Sequence, residues 1–338
     1  MGEGIIRFYH EKVKKSWKIA FISAFLVGLI VHMFRFVNVL PNHDALYNYF
    51  STQNMVASGR WFLAVACAPS SYFDLPWMIG ILSLLYMSLT AVVITEIFEM
   101  KNPVLIVLCS GMLVSFPAIT DTMSFEFTAD GYMLAMLLAS LSVLFTRIDR
   151  MQEYTRDKRY MLVLPSICIC FACAIYQAYI SFAYVLAVCY FITELLDNRY
   201  TTRDYITWIV IQVLSYLIAV AGYYLIWQIA MSMQNVEITT YLGVDKAFHL
   251  DVSTLVLRIK NCIYSFAKFF IEWNFFELGL TPYTTLNLLF IFLTLWGGIL
   301  GNKRKWLYKK ENELGSYCCL LCIHSFCVLC IYVCFKMD

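Results

Sequence analysis

The chain has 338 residues, of which 61% are hydrophobic and 17% are aromatic, while only 14% are charged. A soluble domain has roughly 25% charged residues, so this composition excludes an ordinary soluble protein and indicates a polytopic membrane protein. The net charge of +2 is small and its signs are segregated by loop, so no nucleic-acid partner is indicated.

The first predicted membrane span covers residues 19–37 and follows a basic flank, from Arg7 to Lys18. No small-residue cleavage site follows it, so the span is expected to be retained. The positive-inside rule predicts a cytoplasmic N-terminus. His32 and Arg35 fall in the last turn, where long side chains are expected to snorkel to the outer interface.

A polar outer segment, residues 38–75, contains both an acid, Asp44, and a base, Arg60. It is too polar to span a bilayer and too rich in aromatic and aliphatic residues to lie free in water. Helical spacing of Leu46, Phe50 and neighbouring residues predicts an interfacial helix on the membrane surface.

Six further spans are predicted at 76–98, 103–116, 133–145, 161–175, 179–196 and 205–230. Pro76 and Pro103 stand at favoured first-turn positions. Basic clusters at 147–159 and 199–203 mark inner loops. The segment 117–132 and the tight turn 176–178 then lie outside.

Residues 231–281 have two interpretations, a membrane span or an interfacial outer segment at 233–282. Within them one helical stripe is polar and consists of Arg258, Asn261, Ser265, Lys268 and Glu272. The outer interpretation is favoured because it places the basic cluster 303–305 inside. With the last spans at 286–300 and 317–335, we predict one all-α domain, 1–338, of about nine spans.

The thirteen cysteines lie mostly within apolar runs, where thiols behave as small hydrophobic groups. The spacing expected of a zinc site is missing. We therefore predict no metal and no cofactor.

Ionisable groups beside lipid are candidates for function because burying them in hydrocarbon is costly. For Asp121 simple hydration at headgroup level is the favoured interpretation. The remaining outer candidates are Asp44, Glu126, Asp130, Arg35, Arg60, Gln177, Lys268 and Glu272.

The motifs of nucleotide-dependent enzymes are missing from the sequence. There is no P-loop, no glycine-rich dinucleotide turn and no Asp-x-Asp pair. An enzyme that works outside the cytoplasmic membrane has no free nucleotides, so a lipid-linked donor is favoured.

Four features together carry a family resemblance: Asp44, the run Ser58-Gly59-Arg60-Trp61, the segment 127–132 and the turn 175–178. Over roughly residues 15–300 the chain resembles the serotype-converting glucosyltransferases of bacterial inner membranes, which modify O-antigen. Relatives often carry two adjacent acids where this chain has His43-Asp44.

The resemblance implies a GT-C-like bundle, in the cytoplasmic membrane, that transfers a sugar from polyprenyl phosphate to a surface glycan or lipid-linked oligosaccharide. Asp44 would be the general base of an inverting reaction, and Asp130 is the second catalytic candidate. Arg60, helped by Arg35 or Lys268, would bind the leaving phosphate. The other implied substrate-binding residues are Glu126, Tyr176, Gln177 and Glu272.

Alternatives from other classes remain open at this point. A lipid-linked sugar flippase or small-solute transporter would place polar groups near the bilayer midplane and often has internal repeats, and no convincing repeat is visible here. A non-catalytic membrane scaffold would not need Asp44. A membrane O-acyltransferase would need a polar neighbourhood around His32 or His324, which the sequence lacks.

Overall fold

The computed structural model describes residues 13–40, 42, 44–48, 51–70, 75–153, 159–197 and 199–239, with isolated positions 257, 260, 261, 264 and 292. Over these residues the chain is helical, and its one β-contact is an antiparallel bridge between Met55 and Arg60. The predicted all-α class is confirmed for this part of the chain.

The α-helices of the described residues follow one another in this order: α1 (Lys15–Val37), α2 (Ala45–Asn48), α3 (Leu63–Cys67), α4 (Pro76–Ile97), α5 (Pro103–Ser115), α6 (Pro117–Thr122), α7 (Ala129–Phe145), α8 (Ile148–Glu153), α9 (Tyr160–Ile175), α10 (Tyr179–Asp197) and α11 (Thr202–Gln234). Proline opens α4, α5 and α6, where its missing N–H costs no hydrogen bond. A capping box between Thr201 and Asp204 begins α11.

Four of these helices, α1, α4, α10 and α11, are long and apolar enough to cross a membrane, and α5, α7 and α9 are shorter apolar helices. Together these seven helices coincide with the first seven predicted spans. The last two predicted spans and most of segment 233–282 lie outside the described residues, so the number of nine spans stays a prediction.

Helix α1 packs through a single stripe of residues, the first three of which are small. Its buried residues recur every fourth position, at Ala20, Ala24, Gly28, His32 and Phe36. A Cβ added to Gly28 would lie 2.5 Å from a methyl group of Leu84 on α4. Small residues therefore set a close approach between two helices, as is common in membrane bundles.

Helix α4 packs against α1 and α7. Helix α7 also packs against α9, and α9 packs against α11. All seven apolar helices alternate in direction, so the bundle has two ends. We call the end that contains Arg35, Arg60 and Gln177 the site end. The opposite end carries Glu96, Arg147 and their ion-pair partners.

The prediction of an interfacial helix in 38–75 was wrong over the described part of that segment. The chain there forms α2, two 3-10 turns and α3 instead. Gln53 and Gly59 both have positive φ, 56° and 81°, which interrupts any continuous helix. The described residues 44–48 and 51–70 therefore form a folded cap on the site end.

Snorkelling of His32 was also wrong. Its side chain is 2% exposed and its Nε2 lies 2.8 Å from the Val114 carbonyl oxygen of α5. A hydrogen bond to a helix-end carbonyl satisfies the ring inside the bundle, so it does not need to reach the interface.

Candidate functional site

A tight turn at residues 55–60 is the centre of the site end. Val56–Ser58 form one 3-10 turn, Gly59 follows with φ 81°, and the Arg60 N–H donates to the Met55 carbonyl at 3.1 Å. Glycine suits this place because the left-handed region costs it no Cβ clash. The turn ends by projecting Arg60 back over the bundle.

Helix α11 and the α9–α10 connection hold this turn by hydrogen bonds to its carbonyls. The indole N–H of Trp227 donates to Val56 O at 2.7 Å, and Gln177 Nε2 donates to Ser58 O at 2.8 Å. Gln177 Nε2 also lies 3.0 Å from the Tyr223 hydroxyl. Two elements distant in sequence therefore fix the same backbone turn.

Arg60 is oriented by neutral aromatic groups. Its guanidinium carbon lies 4.4 Å from the ring centroid of Tyr176, and Nη1 donates to the Tyr132 hydroxyl at 3.2 Å. The rings of Tyr132 and Tyr176 are themselves stacked, with centroids 4.9 Å apart. Cation–π contact and one hydrogen bond fix the direction of the guanidinium without neutralising its charge.

Arg60 keeps donor capacity for an anion. Its Nε is buried. Among the described residues this Nε has no hydrogen-bond partner, and no carboxylate lies within 4.0 Å of the guanidinium. A guanidinium fork with unused N–H groups is well suited to phosphate oxygens. Arg60 is therefore the described side chain best placed to bind an anionic group.

Asp130 lies in the first turn of α7 and is fully buried. One carboxylate oxygen accepts the Gly131 N–H at 2.9 Å, and Oδ2 has no partner among the described residues. A Cβ added to Gly131 would lie 2.9 Å from Cys67 Sγ, so α3 packs directly on this turn. A direct contact of Asp130 with substrate would require an opening of this packing.

Buried polar atoms without a partner are concentrated at the site end. Those on the described residues there include Arg60 Nε, Trp61 Nε1, Glu126 Oε2, Thr128 Oγ1 and Asp130 Oδ2. Such atoms are rare in native proteins and each costs roughly 1–3 kcal/mol when nothing bonds to it. Their concentration at the site end marks this end for a polar ligand or bound water.

Arg35 and Glu126 form a second cluster, which ties α1 to the loop before α7. Arg35 Nη2 lies 3.2 Å from Glu126 Oε1, and the guanidinium also donates to the carbonyls of Met123, Ser124 and Leu40, each at 2.7 Å. The Leu40 N–H donates to Glu126 at 3.2 Å. Burial raises the pKa of Glu126, against the lowering effect of the Leu40 hydrogen bond and the Arg35 charge.

Asp44 stands directly before α2 and is half-buried. Its N–H donates to Asn42 Oδ1 at 3.1 Å, and its carbonyl accepts from Asn48 Nδ2 at 2.9 Å. These bonds make a local turn that fixes the backbone of the residue. The sequence predicted Asp44 in the same segment as Arg60, and the structure places both in the folded cap.

The structure thus brings together three of the predicted site residues, Arg60, Tyr176 and Gln177. Arg35 and Glu126 contact each other in the second cluster. Lys268 and Glu272 lie outside the described residues.

Sequence reasoning missed Tyr132, Tyr223 and Trp227 as parts of the site. The last two recur at a spacing of four near the end of α11, a one-sided aromatic pair. Aromatic residues are common in apolar helices, so this pair did not distinguish a site residue from a residue that only packs in the bundle.

Comparison with protein-family models identifies a family match. The family model described as glucosyl transferase GtrII matches residues 33–337. No curated protein and no solved structure matches the chain significantly.

Proposed function

The chain belongs to the GtrII glucosyl transferase family, the serotype-converting glucosyltransferases that its sequence resembles, and on this premise we propose an inverting, polyprenyl-phosphate-dependent reaction. The sugar, which we take to be glucose, moves to a surface glycan on the outer face of the cytoplasmic membrane. The N-terminus is then cytoplasmic, and the site end faces outward.

The observation that carries this proposal is the environment of Arg60. A cation held by Tyr132 and Tyr176, with an unused Nε donor and no described carboxylate nearby, suits a phosphate that carries a sugar. Its place at one end of an apolar bundle suits a phosphate attached to a lipid, since the polyprenyl chain can stay in the bilayer.

The reaction balances with the groups of this chain. The acceptor hydroxyl oxygen attacks the anomeric carbon while the bond from that carbon to the phosphate oxygen breaks. The electron pair of that bond stays on the polyprenyl phosphate, whose charge Arg60 stabilises. Asp44 takes the proton of the acceptor hydroxyl, a step that typically contributes 10²–10⁴-fold. Because the leaving group needs only charge neutralisation, we expect no metal.

Other residues have supporting roles in this proposal. Gln177 and Tyr176 position Arg60 and the turn before it, and they offer polar atoms beside the sugar. Asp130, next to Cys67, orients the start of α7 and with it Tyr132. Arg35 and Glu126 hold the loop before α7. Lys268 and Glu272 remain candidates for substrate binding.

The experiment compares donors on the purified full chain. Polyprenyl-phosphate glucose should be consumed in the presence of an acceptor glycan, and a nucleotide sugar alone should not. Addition of a chelator should leave the rate unchanged. Direct transfer from a nucleotide sugar would disprove the lipid-linked mechanism.

Two variants with matched controls locate the chemistry. Asp44→Asn should lower turnover by about two to four powers of ten with little change in donor affinity, while Asp121→Asn, at the same end, should not. Arg60→Lys should weaken both donor binding and turnover because it loses the fork, while Arg203→Lys should not. If Asp44→Asn keeps most of the wild-type rate, Asp44 is not the base, and Asp130→Asn is tested next. If both aspartate variants are fully active, neither carboxylate is the base, and the assignment of the proton acceptor is wrong.

A further inference from the structure

The opposite end of the bundle carries a dense network of ion pairs. Arg147, only 5% exposed, binds Asp149 through two hydrogen bonds of 2.9 and 2.8 Å and contacts Glu99 at 2.5 Å. The other pairs join Lys14 to Glu96 at 2.6 Å, Arg199 to Asp197 at 2.9 Å and Arg199 to Glu99 at 3.5 Å. In this network each described carboxylate has a cation.

Glu194 lies among these groups without such a partner. The residue is 8% exposed. Among the described residues its Oε2 has no hydrogen-bond donor, and no cation lies within 4.0 Å of it. Taking a carboxylate out of water costs several kcal/mol unless something compensates it. The vacant acceptor therefore points to a ligand with N–H or O–H donors.

Glu194 lines a small cleft of about 20 Å³ at the point where α4 and α10 end, enough for one group the size of a water molecule or an ammonium. Ile97 and Phe98 form apolar walls, and Asp197 and Arg199 lie with Glu194 on the polar side. The Arg199 side chain is 39% exposed. Because both helices are long enough to span a bilayer, their ends lie near the level of lipid headgroups.

The chemistry of the lining favours an organic ammonium group. Over the described ranges no cluster of three His, Cys, Asp or Glu side chains is arranged to hold a metal ion. A primary ammonium needs fewer carboxylates, since its three N–H donors can share Glu194 with other oxygens. A phosphate attached to the same headgroup would lie next to the exposed Arg199 guanidinium.

We propose that this cleft binds the primary ammonium of an amine phospholipid headgroup from the leaflet at this end, with Glu194 as its acceptor. The lipid would brace the ends of α4 and α10 next to the ion-pair network. This inference is independent of the transferase reaction proposed above, because the cleft and Arg60 lie at opposite ends of the bundle.

The test uses native mass spectrometry of the full chain with defined lipids. Phosphatidylethanolamine should be retained about tenfold better than phosphatidylcholine. A difference of this size corresponds to the free energy of about one hydrogen bond to a charged group. Glu194→Gln should abolish this preference, and Glu194→Asp should retain part of it. Glu237→Gln, an exposed glutamate at the site end, should leave it unchanged.

The headgroup series makes the result independent of any variant. With the wild-type chain, retention should fall from ethanolamine to N-methylated ethanolamine to choline headgroups, following the loss of N–H donors. Equal retention of all three, or an unaltered preference in folded Glu194→Gln, would overturn the proposal. Displacement by an equal concentration of free ethanolamine would show that the ammonium comes from a soluble amine, and the lipid assignment would be wrong.

Discussion

The sharpest prediction concerns Gly59, because a single added methyl group tests the whole turn that presents Arg60. In Gly59→Ala the new Cβ would lie 2.2 Å from the Tyr223 hydroxyl oxygen and 2.7 Å from Gln177 Nε2. Neither distance is compatible with real packing, so the turn or both partners must move. The φ of 81° adds backbone strain for alanine.

The size of the effect follows from these contacts. The left-handed backbone costs alanine roughly 1–2 kcal/mol, and the bonds from Gln177 to Ser58 and Tyr223 are worth roughly 0.5–1.5 kcal/mol each. The smaller entropy of the unfolded alanine chain returns about 0.4–1 kcal/mol. We therefore expect a free energy of unfolding lower by roughly 1–5 kcal/mol, and transferase turnover reduced at least about tenfold as Arg60 shifts.

The assay is unfolding in mixed micelles with increasing SDS, together with turnover of the same preparation. Gly222→Ala is the matched control: it adds the same methyl group one residue before Tyr223, and its Cβ would meet no atom within 4 Å. Its free energy of unfolding should equal that of the wild type or exceed it by up to about 1 kcal/mol. Gly59→Ala should be less harmful on a Tyr223→Phe background, since one clashing atom is then missing. Wild-type stability and turnover in Gly59→Ala would refute the described turn and the placement of Arg60.

Four further outcomes are expected. Trp227→Phe keeps an aromatic ring but loses the N–H that donates to the Val56 carbonyl. The free energy of unfolding in the same SDS titration should therefore fall by roughly 1–3 kcal/mol. Burial raises the pKa of Glu126 above its ordinary value of 4.5. The contribution of this group to the stability of the folded protein is therefore fully present below pH 4.5, and it is lost as the pH rises through the raised pKa. Glu126→Gln should flatten that part of a stability profile measured over about pH 4 to 7. Arg147→Lys loses the bidentate contact and should lower thermal stability more than Arg203→Lys does. A cysteine that replaces Arg304 should be labelled only from the cytoplasmic side, and labelling from outside would contradict the charge-based topology.

The sequence by itself determined the class of the protein, the positions of seven apolar helices and its family. Hydropathy is a local property, so runs of apolar residues predicted seven helices that the structure contains, with Pro76 and Pro103 at their starts. The short connection 176–178 was also predicted, because an abrupt end of one apolar run and the start of another is visible in the sequence. The family match over residues 33–337 agrees with motifs that are likewise local.

Tertiary structure alone decided what those motifs do together. The sequence predicted an interfacial helix in 38–75 from the helical spacing of apolar residues. That spacing does not reveal the positive φ of Gln53 and Gly59, which interrupts the helix. The Gln177 bond to Ser58 joins residues 119 positions apart, and Trp227 reaches Val56 across a still longer interval. No local pattern encodes which of many apolar helices will be neighbours, because that choice depends on packing over the whole bundle. For the same reason Glu194 was unremarkable as one acid near the end of a span, and it became a vacant acceptor only once the bundle had paired the carboxylates around it.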